Sequence, residues 1–278
     1  MIIRSRINEL IKPEFRLQVY KINLSTASIE EKSRRVKNEL TKFKIPYHTL
    51  GDGTNRLAVH CANYCLKVAI DRDGGIDNLR EFLYHDQTAQ FTPEAYEVDY
   101  DYGTVMFCEE VRPMTLEEFK SKQDNLRKIL TKLSEDFIIG DMGLVGKNFT
   151  NFGVTKDGRD VILDYAYIYS LSENLHMCDV CAAKGTSYPL VPTSDFTGLT
   201  CSNPFHKKYT IPFHEFRMRI TMEEQVREIQ RILKKKHVHI IDKPHTILES
   251  SDDKNYKKQN KKTMGSITDE DILSVIKV

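Results

Sequence analysis

The stretch LGDGTNRLAVHCANYCLKVAI, residues 50–70, predicts two consecutive β-strands after a turn. Apolar and polar residues alternate through Arg56–His60 and again through Tyr64–Ile70, the period of a strand with one buried face. Lys67 lies in the second strand among apolar neighbours, so its ammonium group needs an anionic partner to compensate for lost hydration. Glu81, on the helix predicted next along the chain, is the natural partner.

The turn before these strands contains Gly51 and Gly53. Glycine lets a backbone approach a phosphate group closely, because no side chain stands in the way. Such a pair alone is typical of any hairpin turn, so the interpretation as a phosphate-binding turn depends on the flanking strands and on Lys67.

Short strands and helices alternate through the rest of the chain. Further strands are predicted at Arg16–Ile22, Tyr96–Tyr100, Thr104–Val111, Phe152–Thr155 and Asp160–Tyr165. Helices are predicted from Ser28 to Pro46 and at Asp77–Gln87, Leu116–Phe119, Leu126–Leu133 and Thr221–Lys236. Gly74-Gly75 is expected to break the chain before the helix at Asp77. The polar residues 244–266 predict a flexible linker before a short terminal helix.

The composition disfavours several classes of protein. The 278 residues include 41 basic and 40 acidic side chains, and the net charge of +1 disfavours a chain built to bind nucleic acid. No window approaches the roughly 20 apolar residues that span a bilayer. The N-terminus, MIIRSRINELIKPEF, lacks the pattern of a secretory signal, so a cytoplasmic protein without membrane contact is expected.

Three of the six cysteines belong to a metal-binding pattern with a histidine. The pattern is Cys178-x2-Cys181-x19-Cys201-x4-His206. Its spacing suits tetrahedral Zn²⁺, and four protein ligands would make the site structural rather than catalytic. His176 and His214 are alternative fourth ligands. The other cysteines lie among apolar residues and are predicted to be small buried side chains: Cys61, Cys65 and Cys108.

The order of these motifs resembles that of protein kinases. LGDGTNRLAV, residues 50–59, is similar to their glycine-rich loop, and LKVA, residues 66–69, to the strand that carries their phosphate-binding lysine. EEV, residues 109–111, is similar to the hinge whose backbone holds adenine. The most specific match is NFGVTKDGRDVILDYA, residues 151–166, which resembles the catalytic-loop asparagine, two strands and a DFG-type motif. The resemblance is to the divergent phage- or bacterial-type branch.

The resemblance implies an ATP- and Mg²⁺-dependent phosphotransferase, such as a Ser/Thr kinase-like protein acting on a protein substrate. Lys67 would hold the phosphates with Glu81 positioning it, and Asn151 and Asp164 would bind Mg²⁺. Asp141 would be the catalytic base. The residues implied to contact the nucleotide directly or through its metal are Gly51, Gly53, Lys67, Glu109, Val111, Asn151 and Asp164.

The chain also departs from the kinase pattern. Arg56 stands at the third glycine of the loop, and Gly146 stands where the catalytic aspartate is expected, five residues before Asn151. Asp141 takes that role if the loop carries an insertion. These departures motivate an alternative from another class, a pseudokinase scaffold that binds a protein partner through the zinc ribbon and the C-terminal helix.

The predicted fold is α+β: a two-lobed protein-kinase-like fold with an antiparallel N-lobe sheet, a reduced helical C-lobe and an inserted zinc ribbon. The predicted segments are 1–46, a strand and helix extension; 47–111, the N-lobe; 112–171, the catalytic-loop part of the C-lobe; 172–210, the zinc ribbon; 211–243, a C-lobe helix; and 244–278, a tail. The expected location is the cytoplasm, that of the host cell if the protein is phage-encoded.

Overall fold

The computed structural model describes residues 10–140, 142, 144, 148–165, 168–170, 177–206, 210–212 and 215–216. The helices are α1 Pro13–Asn23, α2 Ile29–Lys42, α3 Arg72–Thr88, α4 Leu116–Ser121, α5 Gln123–Leu133 and α6 Asp179–Ala182. The first five strands are β1 His48–Asp52, β2 Arg56–Cys61, β3 Tyr64–Ala69, β4 Ala95–Val98 and β5 Val105–Glu109. The later strands are β6 Arg112–Pro113, β7 Phe137–Ile139, β8 Phe152–Val154, β9 Asp160–Ile162, β10 Ile168–Ser170, β11 Leu190–Pro192, β12 Gly198–Cys201 and β13 Thr210–Pro212.

A five-stranded antiparallel sheet, in the order β1-β2-β3-β5-β4, holds the first half of the described chain. Side chains alternate across it: Leu66 and Val68 face a core formed with α1 and α2, whereas Cys65 belongs to a core formed with Phe82 of α3. Helix α3 lies between β3 and β4 in the chain and packs against β3, β4 and β5. The prediction of an α+β chain with antiparallel sheets is confirmed.

The predicted strand at Arg16–Ile22 is wrong, because these residues lie within helix α1. Phe15 and Val19, spaced by one helical turn, are fully buried against the sheet, and Ile22 packs beside them. Pro13 begins the helix, where its missing N–H costs no hydrogen bond. The alternating pattern that predicts a strand begins at Arg16. It therefore leaves out Phe15, whose burial marks the apolar face of the helix.

Gly74-Gly75 does not break the chain but lies in the first turn of α3, which Asp71 caps through the N–H of Gly74 at 2.8 Å. A Cβ at Gly74 would stand 2.1 Å from the carbonyl oxygen of Asn55, and one at Gly75 would stand 2.9 Å from that of Tyr102. The glycines therefore let the helix begin directly against two turns of the sheet.

A second core joins the helices after the sheet to two small sheets, β6-β8-β9 and β7-β10. The predicted helical stripe is confirmed in α5, whose four apolar residues are all buried: Leu126, Ile129, Leu130 and Leu133. The predicted hairpin is confirmed in β8 and β9, with Gly158 in the left-handed region at φ +86° in its turn.

The cysteine-rich segment forms a small sheet of its own, β11-β12-β13, with α6 beside it. Its core includes Leu190, Leu199 and three cysteines and continues into Ile138 of β7 and Tyr169 of β10. The predicted helix Thr221–Lys236, the linker 244–266 and the terminal helix lie outside the described residues, as do Asp141, Gly146, His176 and His214. In the part of the chain that the structure describes, no helix has both the length and the apolar character needed to cross a bilayer.

Candidate functional site

Lys67 and Glu81 form a buried ion pair between β3 and α3. Lys67 Nζ donates to Glu81 Oε2 at 2.5 Å and to the carbonyl oxygen of Leu163 at 2.9 Å. The Glu81 carboxylate is fully buried and the Lys67 side chain is nearly so. The structure therefore brings together the two residues that the sequence pairs, and it adds the backbone just before Asp164 as a second acceptor.

The electrostatics keep Lys67 charged despite its burial. Burial is the largest influence and would lower the pKa of Lys67, but the negative charges of Glu81, Cys108 and Asp164 together outweigh it, so the pKa is raised above its ordinary value. The ring of Tyr165 lies 5.8 Å from Nζ and contributes a further cation–π contact. An anion that enters this site meets a permanent ammonium group.

Asp164 and Asn151 flank the β8–β9 hairpin: Asn151 precedes β8, and Asp164 directly follows Leu163, whose carbonyl oxygen accepts from Lys67. The carbonyl oxygen of Asn151 accepts a hydrogen bond from the N–H of Leu163 at 2.8 Å, which holds the ends of the hairpin together. Asp164 follows β9, and its side chain is half exposed. The carboxylate and the amide stand at the two ends of one hairpin and offer the hard oxygen atoms that Mg²⁺ prefers, so their chemistry fits that ion.

Arg56 is a member of the cluster that the sequence reasoning did not identify. Its Nη2 donates to Glu81 Oε1 at 2.8 Å and to Asp164 Oδ1 at 2.6 Å. Arg56, like Lys67, is a cation in a strand of alternating polarity, and this pattern is the signal by which the sequence could have identified it.

Asp77 and Asn78, on the first two turns of α3, form hydrogen bonds with residues in the turns of the five-stranded sheet. Asn78 Nδ2 donates to the carbonyl oxygen of Gly103 at 2.8 Å, and Asn55 Nδ2 donates to Asp77 Oδ2 at 3.3 Å. Burial raises the pKa of Asp77 to about 6, although Arg56 and Arg80 oppose the shift.

The predicted glycine turn is wrong at its start, because Gly51 and Asp52 pair with β2 as the last residues of β1, and the turn follows at residues 53–55. The end of β1 is anchored to α2. Lys37 Nζ lies 2.5 Å from Asp52 Oδ2, and the hydroxyl of Ser33 donates to Asp52 Oδ1 at 2.9 Å. The N–H of Gly53 donates to the carbonyl oxygen of Arg56 at 2.9 Å, which closes the turn. Gly51, in contrast, has open space where a Cβ would stand, so nothing there requires glycine for packing.

The hinge-like segment, residues 109–111 at the end of β5, contacts the same hairpin. A Cβ at Gly153 would stand 2.7 Å from Val111 Cγ1, so this glycine lets β8 pack against the segment. Glu109 pairs with Arg159 at 3.5 Å, and Glu110 accepts from or donates to His60 Nδ1 at 2.6 Å according to their protonation. Both acidic side chains thus have protein partners.

Cys178, Cys181, Cys201 and His206 converge into one group that can hold a metal ion. All four ligand atoms lie within 4.8 Å of one another. The Sγ atoms of Cys181 and Cys201 are 3.6 Å apart, and His206 Nδ1 lies 3.5 Å from Cys178 Sγ and 3.8 Å from Cys181 Sγ. Tetrahedral zinc with ordinary bond lengths requires about 3.8 Å between sulfurs and about 3.6 Å between sulfur and nitrogen. The group is therefore compatible with zinc.

Asn203 directs two N–H donors at sulfurs of this group. The N–H of Asn203 lies 3.4 Å from Cys201 Sγ, and Asn203 Nδ2 lies 3.7 Å from Cys181 Sγ. N–H groups directed at cysteine sulfurs stabilise thiolates, which is the form that binds a metal. The other three cysteines are buried and free, as predicted.

No protein-family model matches the chain, and a search of curated proteins finds no significant match. Function is therefore inferred from the two clusters themselves.

Proposed function

We propose that the protein is an ATP- and Mg²⁺-dependent phosphotransferase of protein-kinase-like type. The observation that carries this proposal is the position of Lys67 Nζ, which is bonded to Glu81 of α3 and to the carbonyl oxygen of Leu163, next to Asp164. A fixed cation on a sheet, held by a helix carboxylate and adjacent to an exposed carboxylate, suits a nucleotide phosphate with its metal.

The order of elements supports the same proposal. The glycine turn, the lysine strand, the helix with Glu81 and the hinge-like segment follow one another around one antiparallel sheet. The β8–β9 hairpin follows, with Asn151 just before β8 and with Leu163, the neighbour of Asp164, bound to the lysine through its carbonyl oxygen. This is the sequence of parts that the resemblance to protein kinases implies.

Each residue has a role in this proposal. Lys67 binds the phosphates, Glu81 positions Lys67, and the backbone around Gly51 and Gly53 covers the phosphates. Asn151 and Asp164 would hold Mg²⁺, which when bound would neutralise the charge of the phosphates during transfer. Asp141 would orient the acceptor, a hydroxyl group of a protein substrate. The backbone of Glu109 and Val111 would hold adenine.

We propose zinc as the ion of the Cys₃His group, in a structural role. Four protein ligands leave no position for a substrate, and the group lies within a small core rather than at the Lys67 cluster. The ion would stabilise a segment whose own apolar core is small.

A scaffold that binds nucleotide without transferring phosphate is the second candidate. The observation that favours it is the ion pair between Arg56 and Asp164, because a metal ligand already bound to a guanidinium is less available to a metal.

The test is ATP turnover with Mg²⁺ by the full, zinc-replete chain. We expect turnover in the wild type and a loss of at least about 100-fold in Lys67→Met and in Asp164→Asn. Lys122→Gln is the control, since Lys122 pairs with Asp160 on the same hairpin but away from the cluster. Nucleotide binding without turnover would favour the scaffold, and no nucleotide binding at all would refute the proposed function.

A further inference from the structure

The guanidinium of Arg56 occupies the space between the two carboxylates of the candidate phosphate site. Its Nη2 lies 2.8 Å from Glu81 Oε1 and 2.6 Å from Asp164 Oδ1, and its Nη1 lies 3.4 Å from Asn78 Oδ1. One side chain thus links α3 to Asp164, two residues beyond the end of β9. Phosphotransfer as proposed above makes no use of this cation.

The two partners of the guanidinium differ in their freedom to move. Arg56 is 9% exposed and Glu81 0%, whereas the Asp164 side chain is 54% exposed. The backbone of Arg56 is held as well. It pairs with Ala69 of β3, and its carbonyl oxygen accepts a hydrogen bond from the N–H of Gly53. Arg56 is therefore the fixed end of the bridge, and Asp164 is the end that a competing cation can reach.

The charge of Arg56 is permanent. Burial alone would lower its pKa, but the carboxylates of Glu81, Asp164 and Asp77 outweigh this and raise the pKa well above its ordinary value. A guanidinium next to a carboxylate both neutralises that carboxylate and repels an approaching metal ion. Both effects act on Asp164, the one exposed carboxylate among these residues.

We propose that Arg56 is a resident cation on Asp164, so that a divalent metal binds this carboxylate only in competition with the guanidinium. The inference rests on the proposed function in that Asp164 is taken as the metal ligand. In the absence of a bound metal, the phosphates of a nucleotide would be attracted by two cations of the protein, Lys67 and Arg56. Nucleotide affinity should therefore depend only weakly on a divalent ion.

The test measures Mn²⁺ binding directly, by the loss of the electron paramagnetic resonance signal of free Mn²⁺ in a titration with zinc-replete, nucleotide-free protein. We expect Arg56→Gln to bind Mn²⁺ at least about tenfold more tightly than the wild type. Adding Asp164→Asn to that variant should remove the gain. Arg56→Lys, which keeps a cation, and Lys122→Gln, which removes one elsewhere, should match the wild type.

A second comparison needs no change at Arg56 and guards against a variant that fails to fold. Because Arg56 blocks Asp164, wild type and Asp164→Asn should bind Mn²⁺ with the same weak affinity. A wild type that binds at least about tenfold more tightly than Asp164→Asn would overturn the inference. So would an Arg56→Gln variant with unchanged affinity, or a gain that survives the loss of Asp164.

ADP binding, measured by calorimetry with and without Mg²⁺, separates this inference from the proposed function. ADP that binds the wild type equally in both conditions supports the inference. ADP that binds only with Mg²⁺ counts against it while leaving the proposed function intact. Failure of ADP to bind in either condition would refute the proposed function, and the Mn²⁺ titrations would still decide the competition at Asp164.

Discussion

Glu81 joins two buried cations, with one carboxylate oxygen on Lys67 and the other on Arg56. Its side chain has no exposed surface. The carboxylate therefore compensates two charges that burial has separated from water, and the pair of cations depends on it for stability.

Glu81→Gln should lower the free energy of unfolding by about 3–5 kcal/mol, because two nearly buried cations lose the fully buried carboxylate that joins them, and Arg56 keeps only Asp164. Urea unfolding followed by circular dichroism measures this. Glu31→Gln is the matched control: Glu31 also pairs with two cations, Arg34 and Arg35, but its side chain is 31% exposed and both arginines are exposed. The control should stay close to the wild type, and equal losses in the two variants would contradict the role assigned to burial.

Asp77 should make the protein less stable as the pH rises. Its pKa is about 6 when folded, above the value of 3.8 expected when unfolded, so the folded state binds more protons between these values. Stability contributed by the protonated form is complete below about pH 4 and is lost as the pH rises through about 6. Well above pH 6, the resulting decrease in the free energy of unfolding reaches about 3 kcal/mol.

Asp77→Asn should remove this dependence, because the amide cannot ionise and can still accept from Asn55. The unfolding free energy of the variant relative to the wild type should increase between pH 4 and pH 7. Urea titrations of both proteins at several pH values measure the difference. A constant difference across this range would show that Asp77 does not titrate as described.

Sequence reasoning recognised Lys67 and its partner but not the second cation. A lysine in an apolar strand calls for a carboxylate on the next helix, and such local reasoning suffices for Glu81. Arg56 and Asp164 are 108 positions apart in the chain. Their contact follows from how the β8–β9 hairpin meets the sheet, which no local pattern contains.

Helix α3 carries Glu81 to Lys67, and its start is set by close contacts with the turns of the sheet. A Cβ at Gly74 would stand 2.1 Å from the carbonyl oxygen of Asn55, and a backbone atom cannot move aside as a flexible side chain can. The position of Glu81 therefore depends on a glycine two turns away.

Gly74→Ala should lower the free energy of unfolding by about 1–3 kcal/mol through this clash, even though alanine is the better helix former. Gly51→Ala, where the added Cβ meets no atom within 4 Å, should change stability by no more than about 0.5 kcal/mol. Urea unfolding of the two variants measures both. A Gly74→Ala protein as stable as the wild type would mean that α3 can shift without cost.

Helices and strands differed in how well the sequence predicted them. Helix α5 was evident because four apolar residues repeat at helical spacing over its length. The sequence pattern predicts a strand within α1 because polar and apolar residues alternate by chance in its middle. The apolar face of the helix depends instead on Phe15 and Val19 packing against the sheet. The Gly74-Gly75 pair was mistaken for a break because its close contacts involve turns distant in the chain.

The two clusters of the molecule are connected through Tyr169. Its ring packs in the core of the cysteine-rich segment and against the guanidinium of Arg80, 4.8 Å from the ring centre. Arg80 precedes Glu81 on α3. The spacing of the cysteines predicted the Cys₃His group, but it contained nothing about this connection, which depends on strand β10 lying between the two cores.

Removal of the proposed zinc ion should destabilise more than the cysteine-rich segment. We expect about one zinc ion per chain by elemental analysis, and none in Cys201→Ser. A strong chelator should lower the melting temperature of the wild type and not that of Cys201→Ser. Cys61→Ala is the control, since Cys61 is buried in β2 outside the group and should retain the ion. Unchanged melting of the wild type after demonstrated loss of zinc would contradict a structural role.

The most direct test of the account is ATP binding by the full, zinc-replete chain, measured by calorimetry with Mg²⁺ present. We predict binding by the wild type and a loss of at least about tenfold in affinity in Lys67→Met, which removes the cation held between Glu81 and Leu163. Lys122→Gln should bind like the wild type. A folded wild type that does not bind ATP, or a Lys67→Met variant that binds it equally well, would contradict the assignment of this cluster as a nucleotide phosphate site.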